Sequence, residues 1–82
     1  MMRQRDYICV KDEDGCAHSF IYTFNKHTRQ NREAIHGGKI ASLKLFTLDD
    51  KLVAEFDKGW VILPSSYTPE GMALESIIER WN

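Results

Sequence analysis

The side chains with the most chemistry to offer in this sequence are three histidines and two cysteines, His18, His27, His36, Cys9 and Cys16. A structural zinc site wants four ligands delivered as closely spaced pairs, so that two donors leave one turn together. No C-x-x-C and no H-x-x-x-H occurs, and only Cys16 and His18 stand close enough to share a strand face. No metal and no cofactor is therefore expected. A cysteine beside a histidine could form a nucleophile, but Cys9 lies in an apolar, aromatic run that reads as a strand, where a buried thiol is inert. The acids Asp12, Glu13, Asp14, Asp49 and Asp50 gather in turn-like stretches, where short carboxylates serve backbone geometry. Gly37-Gly38 leads into a strand, the wrong context for an anion held at a helix N-terminus. With no catalytic constellation in view, the chain reads as a non-enzymatic protein.

Composition narrows the class further. The chain has 82 residues, 43% of them apolar and 28% charged, which suits one small folded domain over residues 1–82. Eleven basic residues against 12 acidic ones leave a formal charge of -1, so the broad electrostatic attraction used by small nucleic-acid binders is missing. No apolar run reaches membrane-span length and the first residues lack the apolar stretch of a secretion signal, which predicts a cytoplasmic protein with no membrane partner. Two cysteines are too few for a disulfide framework, and reduced thiols are expected.

Two hairpins and a helix must position whatever site exists. Tyr7–Lys11 and Cys16–Phe24 alternate as strands around Asp14-Gly15, a dipeptide suited to a two-residue turn. That loop pairs Tyr7 with Tyr22 and Cys9 with Phe20, gathering Tyr7, Cys9, Phe20, Tyr22 and Phe24 on one face. A second hairpin joins Gly38–Thr47 to Lys51–Asp57 around Asp49-Asp50 and sets Thr47 opposite Leu52, Leu45 opposite Ala54 and Leu43 opposite Phe56. Thr68 as N-cap and Pro69 at the first helical position start a helix that runs to about Trp81, with Leu74, Ile77, Ile78 and Trp81 at helical spacing. The expected fold is α+β, a four-stranded antiparallel sheet in chain order with one C-terminal helix on one face. Residues 1–5 are expected to be a flexible arm, 25–36 a long loop and 68–82 the helical segment.

Extending the second hairpin places Trp60 opposite Lys39, Gly59 opposite Ile40 and Asp57 opposite Ser42, so that Lys39, Asp57, Lys58 and Trp60 become one patch. Two readings of it stand side by side: an architectural one, with Trp60 in the core and Asp57 holding the Gly37-Gly38 backbone, and a recognition site centred on Trp60 and Lys58. The stretches Gly37-Gly38-Lys39-Ile40-Ala41-Ser42-Leu43 and Phe56-Asp57-Lys58-Gly59-Trp60, with Pro64 four residues later and a helix after it, resemble a family of short uncharacterised proteins of Gram-positive bacteria and their phages. The likeness covers roughly residues 20–82. Lys39 and Lys58 stand where that pattern has arginines, which weakens a bidentate grip on carboxylate or phosphate. The resemblance brings no activity with it, and its phage association implies a module that docks on a host or defence protein.

Partners follow from these readings. A protein partner is expected and nucleic acid is not, although the basic stretch Lys26, Arg29 and Arg32, with Arg3 and Arg5, defines the alternative of a nucleic-acid-associated accessory protein. One helix covers one side of a sheet only. The other side is expected to be apolar, with Phe46 and Val53 at its exposed end, which points to a partner or a homodimer.

Overall fold

The computed structural model describes residues 2–82. Five strands, β1 (Met2–Lys11), β2 (Ala17–Lys26), β3 (Ile40–Thr47), β4 (Leu52–Asp57) and β5 (Trp60–Ile62), form one antiparallel meander in the order β1-β2-β3-β4-β5. The helix α1 (Pro69–Trp81) packs across one face. The fold class is thus α+β as expected, with five strands rather than four, and residues 2–5 belong to β1 rather than to an arm.

The additional strand arises at Lys58-Gly59. Lys58 takes the left-handed conformation at φ 59° and Asp57 N–H donates to the Gly59 carbonyl at 2.9 Å, so the chain reverses at once. Trp60 then lies beside Phe56 instead of Lys39. β5 is short because Pro64 has no N–H to give a ladder and holds Leu63 extended.

Turn chemistry also decides the first register. In the β1–β2 loop Gly15 N–H donates to the Asp12 carbonyl and Asp12 N–H to the Cys16 carbonyl, both at 3.0 Å, with Gly15 at φ 79°. This is a three-residue loop, a type I turn followed by a left-handed residue, and not the two-residue turn expected. The pairing moves by one residue, to Tyr7 with Ile21 and Ile8 with Phe20. A slip of one residue exchanges the faces of a strand. Ile8 and Val10 therefore join the core with Phe20, Tyr22 and Phe24, while Tyr7 and Cys9 are exposed on the other side.

The core lies between the sheet and α1 and includes Tyr22, Phe24, Ile40, Leu43, Leu45, Ala54, Leu74 and Ile77. α1 starts where Thr68 Oγ1 accepts from Gly71 N–H at 3.1 Å, with Pro69 behind it. The connection 27–39 is tied down rather than loose. His27 N–H reaches the Lys39 carbonyl, Asn31 N–H the Gly38 carbonyl, and Ile35, in a short 3-10 turn (Ile35–Gly37), enters the core.

Candidate functional site

Among the described residues no three histidine, cysteine or acidic side chains converge on a point that could hold a metal ion. His18 Nε2 instead meets Asp12 Oδ2 at 2.9 Å inside the first turn, where Asp12 Oδ1 also accepts from the Asp14 and Cys16 N–H groups. The His18 and backbone hydrogen bonds hold the Asp12 carboxyl below its ordinary pKa.

Of the four residues of the expected patch, Asp57, Lys58 and Trp60 surround one turn, and Trp60 pairs with Phe56 rather than with Lys39. Asp57 and Lys58 are exposed at the β4–β5 turn, with Trp60 directly after it, its ring edge-on to Phe56 at 5.1 Å between centroids. Lys39 closes the 27–39 connection, its carbonyl accepting from His27 N–H, and His27 lines a cavity with Ala41, Asp57 and Lys58. Asp57 sits opposite Ser42 as expected but does not hold the glycine pair. Asn82 does so: its Oδ1 accepts from Lys39 N–H at 3.0 Å and Ile40 N–H at 3.3 Å, and its Nδ2 donates to the Ile35 carbonyl at 2.9 Å. A Cβ on Gly38 would overlap that carboxamide, so this glycine is required by close approach.

Trp60 is neither fully core nor fully exposed. It forms one wall of a groove of about 440 Å³ between α1 and the segment after β5, with Leu63, Pro64, Leu74 and Ile78 as further apolar walls and Glu75 on the rim. On α1, Gly71, Leu74 and Ile78 recur at helical spacing and give the groove its floor. Along the segment that follows Trp60, Val61, the extra residue of a bulge in β5, is 61%, Leu63 60% and Tyr67 93% exposed, a run of exposed large apolar side chains of which Leu63 lines the groove. The groove also adjoins a free sheet edge. The opposite edge, β1, carries Arg3, Arg5, Asp6 and Lys11, charges that discourage pairing with a further strand, whereas Trp60, Val61 and Ile62 carry none.

The outer sheet face, away from α1, is mostly polar. Arg3, Asn25, Ser42 and Asp57 form one cross-strand row and Arg5, Thr23, Lys44 and Glu55 the next, with Asn25 Nδ2 donating to Ser42 Oγ at 2.7 Å. Tyr7, Ile21, Phe46 and Leu52 make a third, apolar row. The expected broad apolar face is reduced to this row, because the first register turns Ile8 and Val10 inward. Val53 is the extra residue of a bulge in β4 and packs against the core, leaving Phe46 alone of the two expected contacts on the outer face.

The basic stretch is divided as well. Lys26 closes β2 with its Nζ 5.5 Å from the Trp81 ring, and Trp81 in turn donates from Nε1 to the Tyr22 hydroxyl at 2.9 Å. Arg29 and Arg32 are exposed on the connection. Among the described residues no helix is long and apolar enough to cross a membrane. Comparison with known proteins gives no match to any family model, curated protein or solved structure.

Proposed function

We propose that this protein is a non-enzymatic docking module that receives an extended segment of another protein along β5 and the groove beside α1. The observation that carries this reading is the coincidence of an uncharged free strand edge with an apolar groove walled by Trp60, Leu63, Leu74 and Ile78. Strand addition uses such an edge for main-chain hydrogen bonds and such a groove for alternate side chains. Glu75 on the rim, with Glu79 one turn further along α1, favours a segment that alternates apolar and basic residues. The resemblance of the glycine and tryptophan motifs to phage-associated proteins fits a host or defence protein as the source of that segment. The nucleic-acid reading has less support, since Lys26 is engaged with Trp81 and the total charge is -1.

The experiment is a capture of proteins from cell extract by the wild type and by Leu63→Asp in parallel, followed by a salt-graded nucleic-acid column. Leu63 is exposed, so the variant should fold with unchanged melting temperature. A partner held by the wild type and lost by the variant supports the reading. Partners retained equally by both, or retention on nucleic acid that falls steeply with salt, would replace it.

A further inference from the structure

The outer face of the sheet complements itself. Its three rows run Arg3–Asn25–Ser42–Asp57, Arg5–Thr23–Lys44–Glu55 and Tyr7–Ile21–Phe46–Leu52, each from β1 to β4. Both charged rows are basic at the β1 end and acidic at the β4 end. Among the described residues the only ion pairs are His18–Asp12 and Arg80–Asp6, so Arg3, Arg5, Glu55 and Asp57 are unpaired within one copy. Lys44 lies next to Glu55 across β3 and β4 without forming such a pair.

From this pattern we infer that two copies of the chain associate face to face through the outer sheet, about a two-fold axis running along the strands midway between β2 and β3. Such an axis lays β1 of one copy on β4 of the other and β2 on β3, and each row meets itself in reverse order. Arg3 then faces Asp57 of the second copy, Arg5 faces Glu55, Asn25 faces Ser42 and Ile21 faces Phe46, with Tyr7 over Leu52. Every charge at the ends of the rows meets its opposite, and each contact occurs twice, as a two-fold interface requires. Lys44 faces Thr23 of the second copy directly, with that copy's Lys44 and Arg5 one strand to either side. Packing of two twisted sheets at about 30° is the usual sandwich geometry and preserves these rows approximately.

Size sets the strength. Four strands about 4.8 Å apart and three rows about 6.8 Å apart give a footprint of roughly 400 Å² per copy, small for a specific interface, so the dimer is weak and concentration-dependent. β5 lies beyond the overlap, which leaves the groove beside α1 free. The inference is therefore independent of the docking function.

Sedimentation equilibrium over a wide concentration range, with Arg5→Glu and Glu55→Arg alone and mixed, tests it. The wild type should rise from the 9.5 kDa monomer toward twice that mass. Each single variant opposes like charges twice in its own dimer and should associate roughly tenfold more weakly or less well still. An equimolar mixture restores both opposite-charge pairs in the heterodimer and should recover the wild-type mass curve, while Leu63→Asp should leave that curve unchanged. A wild type that stays monomeric throughout, a dimer indifferent to both charge reversals, or weak single variants that the mixture does not rescue would each overturn the inference.

Discussion

The side-chain amide of Asn82 donates to the backbone carbonyl of Ile35 at 2.9 Å, joining the end of α1 to the turn that leads into β3. The same carboxamide accepts from the Lys39 and Ile40 N–H groups, so two backbone donors rely on a single side chain, while the Ile35 carbonyl also accepts from Gly38 N–H at 2.9 Å. Asn82→Ala should lower stability by about 2 kcal/mol, because partly buried polar groups lose their partner. Asn82→Asp keeps the acceptor but sets a carboxylate oxygen against the Ile35 carbonyl, and should cost at least as much. Chemical denaturation measures both; an alanine variant of wild-type stability would show that water replaces the clamp.

Gly71 is required for a steric reason. A Cβ there would overlap the Ser65 carbonyl, which lies against the first turn of α1. Gly71→Ala has better helix propensity by about 1 kcal/mol yet should destabilise the protein, with a net loss of about 1 to 3 kcal/mol from overpacking. A gain in melting temperature would mean that the connection 65–68 can move away freely.

Asp50 occupies the left-handed position of the β3–β4 loop at φ 65°, the place that Gly15 fills in the β1–β2 loop. Asp50→Gly should stabilise the fold by roughly 0.5 to 1 kcal/mol, since glycine adopts that conformation without a Cβ penalty. Equilibrium unfolding in urea checks the sign, and a loss of stability would contradict the turn assignment.

The first turn should respond to acid. The Asp12 carboxyl is held below its ordinary pKa first by His18, and also by the Cys16 and Asp14 N–H groups. A depressed folded value means that its contribution is complete above the ordinary aspartate range and is lost as pH falls through the lowered value. Asp12→Asn keeps an oxygen for the two N–H groups but has no charge to lose. The protection factor of the Cys16 amide, its exchange rate relative to the intrinsic rate at the same pH, should therefore fall in acid in the wild type and show no such step in the variant.

Both hairpins use the same three-residue turn, and that explains which part of the sheet could be read from sequence. In the second hairpin Thr47 N–H donates to the Lys51 carbonyl and Asp50 N–H to Thr47, and the ladder begins one residue away from the expected register, with Phe46 opposite Leu52. The bulge at Val53 then absorbs one residue, and Leu45–Ala54 and Leu43–Phe56 pair as the hydrophobic pattern predicts. No bulge follows in the first hairpin, so its shift persists along the whole ladder and exchanges the faces. The helix was legible because Thr68 and Pro69 are local signals of its start. β5 was not, since the residue that reverses the chain is Lys58, a type that seldom takes positive φ, and not Gly59 beside it. Asn82 left no trace in the sequence, because a contact across 47 positions has no spacing to detect. Trp60, which the sequence leaves open between core and recognition site, lines the groove with Leu63 and Ile78 rather than lying beside Lys39.

The most direct test of the docking account is a backbone amide chemical-shift map of the protein titrated with a short peptide that alternates valine and lysine, against a control alternating valine and glutamate. Shifts confined to residues 60–67 and to the Gly71, Leu74, Glu75 and Ile78 stripe of α1, saturating with the lysine peptide and weak or absent with the glutamate peptide, are the predicted result. Shifts centred on the outer sheet face or the 27–39 connection, or equal responses to both peptides, would contradict it.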